Sequence, residues 1–336
     1  MPTSLLDLPS ELLDYIIEIV LTYRGQLPRT TDNLLSHGVR EAWSRGAGTC
    51  RSWAYGPNNV KYSNKQEEGY ISWTSTPLTL LLVNRKIAEL TKWRLQKPGH
   101  YALDVVMVDE MHLWPTWKLL SPPCLHVDRL TATFRIEGIS PTMEGRRFRF
   151  CHSDGAPPRI TWCFYYLLER FLECGPLVEH RRPDSQKPIP QRFTINQLTL
   201  DFLTPRGRIA PSSIEYSNWL EGRDNSDPST AYRWPYNTVE TLMIRPEWLA
   251  SMISNYIGYL LGMDRHMMYH GKMLYERIGS ITICQDGSLM RVFPIDRRLK
   301  DLDFGTVSDS DRLAAFRGWK ERTYKIRESA GLPVIY

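Results

Sequence analysis

Four segments of the chain share one pattern: an apolar residue, two variable positions, Leu or Ile, then alternation of apolar and polar residues. They are VDRLTATF from Val127, INQLTLDF from Ile195, VETLMI from Val239 and IGSITI from Ile278. Alternation with a period of two marks a strand that buries one face. A fifth stretch, YALDVVMV from Tyr101 to Val108, is almost wholly apolar and reads as a buried strand. Helical patterns stand between these segments. ITWCFYYLLERFLECG runs from Ile160 to Gly175, and PEWLASMISNYIGYLLG from Pro246 to Gly262 sets Leu249, Met252, Ile253, Tyr256, Ile257 and Leu260 on one stripe. Strand, helix, strand in succession favours parallel pairing with right-handed crossovers.

The predicted fold class is therefore α/β. The later two intervals between the repeated segments lie within the about 20–50 residues typical of arrays with one strand per repeat, and the first exceeds it. An irregular, leucine-rich-repeat-like parallel sheet with helices on one side is expected over residues 98–336; the alternative is an ordinary α/β sheet whose strands share a pattern. SITICQDGSLMRVFPI predicts a hairpin turning at Asp286-Gly287. SDRLAAFRGWKERTYKIRESAG predicts a terminal helix with Ser310 near its cap and Gly331 past its end. The polar, proline-containing stretches Gly175 to Gln191 and Thr204 to Pro235 read as surface loops.

The N-terminal part is organised differently. LLDLPSELLDYIIEIVL, Leu5 to Leu21, predicts a helix opened by Pro9 and by Glu11 near its positive end. Its apolar residues cover more than one stripe, with Asp14 and Glu18 marking a narrow wet edge, so the helix needs cover on two sides. Residues 24–76 lack either period and read as a long loop or disordered insert. LTLLLVNRKIAELTKWRL, Leu78 to Leu95, predicts a second amphipathic helix that covers one side of the first. Two regions result: residues 1–97, helical with an insert at 24–76, and residues 98–336.

With 336 residues, 42% of them hydrophobic, the chain has material for a folded core. Its net charge of +5 comes from 42 basic and 37 acidic residues. A nucleic-acid binder gathers such a surplus into one patch. Only GRRFRF (Gly145 to Phe150) and RRLK (Arg297 to Lys300) approach one, and alternating Arg and Phe is equally the pattern of a strand buried on one side, so a nucleic-acid partner is not expected. Six cysteines without a CxxC pair suit reduced thiols in the cytoplasm or nucleus. No apolar run is long enough for a membrane span.

Motifs for nucleotide, phosphate, serine-hydrolase and zinc-protease chemistry are missing, so neither an enzyme nor a cofactor is expected. His266 and His270 fall four apart, on neighbouring faces if the preceding helix runs on through Gly262. A catalytic zinc wants a third protein ligand. Asp109, Glu110 and His112 follow a strand end and have the atoms for acid and base work, with no nucleophile paired to them. Cys163 and Cys174 share a helical face and are expected in its core.

LPSELLDYIIEIV resembles the first half of an F-box, with Leu8, Pro9, Glu11, Leu12, Leu13, Ile16, Ile17 and Val20 on its pattern positions. LVNRKIAEL resembles the second half through Leu82, Val83, Arg85, Lys86, Glu89 and Leu90; Asn84 stands where Cys or Ser is common and Ile87 where an aromatic is common. An F-box is usually continuous, whereas residues 24–76 divide this one. The first hundred or so residues are similar to those of filamentous-fungal F-box proteins. The resemblance implies a non-enzymatic, substrate-recruiting subunit of an SCF-type ubiquitin ligase. The F-box would dock on the Skp-type adaptor through Leu8, Pro9, Leu12, Leu13, Ile16, Ile17, Val20, Leu82, Val83 and Leu90, and residues 98–336 would hold an unidentified protein target. The alternative is a general interaction or structural protein whose F-box-like helices are internal packing.

Overall fold

The computed structural model describes residues 5–21, 39–41, 61–63, 80, 82–95, 99–110, 112–119, 125–140, 142–151, 157–175, 192–221, 242–263, 267–303 and 310–336. After a 3-10 turn (Leu5–Asp7) come α1 (Ser10–Leu21), the short strands β1 (Val39–Glu41) and β2 (Lys61–Ser63), and α2 (Arg85–Leu95). β3 (Gly99–Val108), β4 (His112–Leu119) and β5 (His126–Glu137) precede α3 (Met143–Phe150) and α4 (Arg159–Cys174). β6 (Thr194–Phe202) leads to α5 (Tyr216–Glu221), α6 (Pro246–Leu261) and α7 (Met268–Arg277). β7 (Ile278–Gln285), β8 (Ser288–Pro294), α8 (Ile295–Asp301) and α9 (Ser310–Ser329) follow.

The main sheet has the order β4-β3-β5-β6-β7-β8. Its four inner strands are parallel and adjacent in the order in which the chain makes them, as the strand and helix alternation predicts. An antiparallel strand flanks each side, β4 on β3 and β8 on β7. β4 carries Pro115, which an edge strand tolerates because one side of its backbone needs no partner. β8 returns through Asp286 and Gly287, both at positive φ as a two-residue hairpin turn requires.

One sheet face meets the helices. Leu103, Val105, Leu130, Phe134, Leu198, Leu200, Ile281 and Phe293 share a continuous core with residues of α4, α6, α7, α8 and α9. On the other face Thr131, Thr199 and Thr282 stand in register, and Arg135 is paired at 2.8 Å with the buried Asp104. The fold is thus mixed α/β, with a mostly parallel sheet covered by helices on one face.

The shared apolar-x-x-Leu/Ile pattern has a structural cause. Val127, Ile195 and Ile278 are in register, and so are Leu130, Leu198 and Ile281, all buried in the core. A regular strand puts residues two apart on one face, so a spacing of three requires one extra residue. Asp128, Asn196 and Gly279 are that residue in three neighbouring strands, and Asn196 Nδ2 donates to Asp128 Oδ1 at 3.0 Å. At Gly279 a Cβ would stand 2.4 Å from the Asn196 carbonyl oxygen, so only glycine lets the strands close.

Several expectations are corrected. VETLMI is no strand of the sheet among the described residues: Met243 makes one isolated bridge with Ile209, while Leu242 and Ile244 are buried. GRRFRF is not a strand; it belongs to α3, where the Thr142 hydroxyl accepts from Gly145 N, and Arg146 and Phe150, four apart, turn inward together while Arg147 is exposed. Part of the Thr204 to Pro235 stretch is core, since α5 buries Trp219 completely. Within 24–76, β1 pairs with β2 antiparallel; the rest of that stretch lies outside the described residues. The predicted second helix is broken at Asn84: Leu80, Leu82 and Val83 are helical, and α2 starts afresh at Arg85, where the Asn84 side chain caps it by accepting from Ile87 N at 3.1 Å.

Gly279→Ala is expected to lower stability by about 1–3 kcal/mol through overpacking against Asn196. The urea midpoint of unfolding, with the m-value unchanged, checks this.

Candidate interaction surface of the N-terminal helix pair

Pro9 stands directly before α1, and its carbonyl accepts the first helical bonds from Leu12 N and Leu13 N. α1 packs against α2 through a small core of its own: Leu13, Ile17 and Ile87 are buried, with Leu80 and Leu90 packed on them. Lys86 Nζ ties the pair to the Leu6 carbonyl at 3.1 Å. Each fully buried Leu or Ile is worth roughly 1.5–3 kcal/mol, so this seam is real but short.

The opposite flank of α1 is bare. Leu12, Tyr15 and Ile19, spaced three and four apart on one helical stripe, are 51%, 60% and 49% exposed. Leu5, Leu6, Val83 and Trp93 are exposed too, and Leu82 reaches 84%. Apolar side chains gathered in this way mark an interaction surface.

The structure divides the residues that the F-box resemblance names. Pro9, Leu12, Leu82 and Val83 are exposed; Leu8, Ile16, Val20 and Leu90 are half-buried; Leu13 and Ile17 lie in the seam and support the surface from beneath. Tyr15 and Ile19 are absent from that set although they complete the exposed stripe. Their spacing from Leu12 was the signal for them.

Of the acid and base candidates, Glu110 is built into the interior. Asp109 and Glu110 both adopt left-handed backbone conformations at the β3–β4 turn. Glu110 is fully buried; its Oε2 accepts from Arg146 Nε at 3.0 Å and Ser140 N at 3.2 Å, and its Oε1 from Ile244 N at 3.0 Å. Burial pushes this carboxyl up, against the pull of Arg146 and the two amides. Arg146 in turn donates to the Leu242 carbonyl and lies 4.4 Å from the Trp219 ring centroid. Both carboxylate oxygens of Glu110 are thus engaged by groups of the chain's own interior. The His112 side chain lies outside the described residues.

The helix before the two histidines does not run on through Gly262. α6 ends at Leu261, Met263 turns left-handed, and α7 starts afresh at Met268. His266 lies outside the described residues. His270 packs edge-on against Trp162, Tyr165 and Tyr269, at centroid distances of 5.2, 4.7 and 5.4 Å, and its buried Nδ1 has no hydrogen-bond partner. Burial lowers its pKa. Cys163 is buried in the core as expected, and the Cys174 side chain lies outside the described residues. Among the described residues no group of three or more His, Cys, Asp or Glu converges as a metal site, and no helix is long and apolar enough to cross a membrane.

Comparison with protein-family models, with curated proteins and with solved structures returned no match.

Glu110→Ala is expected to cost about 3–5 kcal/mol, because it strands Arg146 as an uncompensated buried charge; chemical denaturation reads this directly. His270 titrates lower folded than unfolded, so the unfolded chain takes up its proton first on acidification. Stability is therefore full above about 6.5 and declines as pH falls through the lowered folded value. His270→Phe should flatten that decline in unfolding measured across pH.

Proposed function

We propose that this chain is a non-enzymatic, substrate-recruiting adaptor of an SCF-type ubiquitin ligase, working in the cytoplasm or nucleus. α1 and α2 form a split F-box that docks on a Skp-type adaptor, and the sheet region is a degenerate leucine-rich-repeat-like array that holds the protein target. The bare flank of α1 carries this reading: Leu12, Tyr15 and Ile19 are left uncovered by the chain's own mass. Leaving several such side chains in water is costly unless a partner covers them, and an amphipathic helix laid into an apolar groove is a recurrent mode of recognition. The array reading is supported by the three parallel strands that carry an extra residue in step.

Co-purification with a Skp-type adaptor tests the proposal. The parent protein should be captured, and Leu12→Asp combined with Ile19→Asp should abolish capture while the circular dichroism spectrum stays unchanged, since both side chains are exposed. Leu13→Asp should instead break the helix pair, because that side chain sits in the seam. Failure of the intact protein to bind the adaptor rejects the reading and leaves a general interaction protein with F-box-like packing.

A further inference from the structure

We propose that the free edge of β8 receives an extended segment of another polypeptide as an added strand, with acidic and apolar residues alternating along it. The site is separate from the N-terminal helix pair and does not depend on how that pair is used.

β8 ends the sheet, and no strand among the described residues pairs with its outer side. All residues from Ser288 to Val292 are exposed, with Leu289 at 65% and Val292 at 46%. The register puts Leu289 opposite Cys284 and Val292 opposite Thr282, so both stand on the face away from the helices. Met290 is the extra residue of a bulge, and Pro294 closes the strand. Bulges and prolines discourage open-ended sheet stacking. They leave the apolar side chains uncovered and Arg291 to Phe293 in register with β7.

The other face of the same edge is cationic. Arg291 pairs in register with the core residue Ile283, and its guanidinium lies 4.6 Å from the Phe293 ring centroid; Arg298 of α8 lies over the same ring at 5.1 Å. No carboxylate forms an ion pair with Arg291, Arg297, Arg298 or Lys300 among the described residues. Nearby acids face other groups. Asp286 accepts from Thr204 N and Oγ1 at 2.8 and 2.7 Å, Asp296 acts on Arg327, and Asp301 and Asp303 act on Lys320. Two guanidiniums thus stand at one ring beside an open strand edge, Arg291 also donating to Ser254 Oγ at 3.4 Å, and each can receive a carboxylate.

Side chains of an added strand alternate between the two faces. Its apolar positions meet Leu289 and Val292, its acidic positions meet Arg291 and Arg298, and its backbone supplies the missing ladder bonds.

Fluorescence anisotropy of the intact 336-residue chain with a labelled peptide of about six residues, alternating Glu and Val, tests this. Saturable binding is expected, weakened about tenfold by Val292→Lys and by Arg298→Ala, which is about 1.4 kcal/mol each. A Lys–Val peptide and a backbone N-methylated Glu–Val peptide should bind at least as poorly. The proposal is overturned if the folded protein shows no saturable binding, or if N-methylation or Val292→Lys leaves affinity unchanged. Tighter binding of a single-stranded oligonucleotide than of the Glu–Val peptide would also overturn it, by making the cations a nucleic-acid site. Because the assay contains no adaptor, its failure is distinct from failure of the F-box reading.

Discussion

The carboxylate of Glu110 fastens together parts of the chain that have no other reason to meet. It closes the C-terminal end of β3, receives Arg146 from α3, and caps the backbone at Ile244 as the chain returns from α5 toward α6. Arg146 extends the link to the Leu242 carbonyl, which also accepts from Trp219 Nε1 at 2.9 Å. A buried ion pair adds little net stability over an apolar pair of the same shape, yet it tolerates few alternative arrangements. Its effect here is on placement: the backbone at Leu242 and Ile244, just before α6, is fixed against β3, α3 and α5.

A second buried cation does the same work at the other end of the sheet. Arg327 of α9 donates to the carbonyls of Tyr275, Ile278 and Pro333, joining the end of α7, the start of β7 and the C-terminal tail. Burial lowers its pKa to about 10, which still leaves it charged at neutral pH. The two arginines are thus used as branched hydrogen-bond donors inside the protein, and they contribute nothing to a surface charge patch.

What was legible in the sequence was local. The strands at Tyr101, Val127, Ile195 and Ile278, the Asp286-Gly287 hairpin, the helices α4 and α6 and the Gly331 stop each follow from neighbouring residues and are present, whereas VETLMI carries the same pattern and yields only an isolated bridge among the described residues. What escaped depends on distant partners. The β3–β4 turn has no glycine at Asp109 or Glu110, and the left-handed backbone there is held by bonds from residues far along the chain. Arg146 looked like surface charge because its acceptors are remote in sequence. α5 is too short to show a period, and Trp219 is its one fully buried residue, with Tyr216 and Leu220 packed beside it. At the helix pair, the pattern located the apolar residues correctly but could not sort those facing the seam, Leu13 and Ile17, from those facing water, Leu12 and Ile19.

The two halves of the N-terminal pair are far apart in the chain, and the penalty for joining them depends only weakly on the distance. Loop-closure entropy rises with the logarithm of length, by about 0.6 kcal/mol per doubling. Insertions and deletions between the helices can therefore accumulate over evolutionary time almost without consequence. Exchanging any one of Leu13, Ile17 or Ile87 would forfeit more than many such events combined, so descendants should differ widely in spacing while keeping the three contacts.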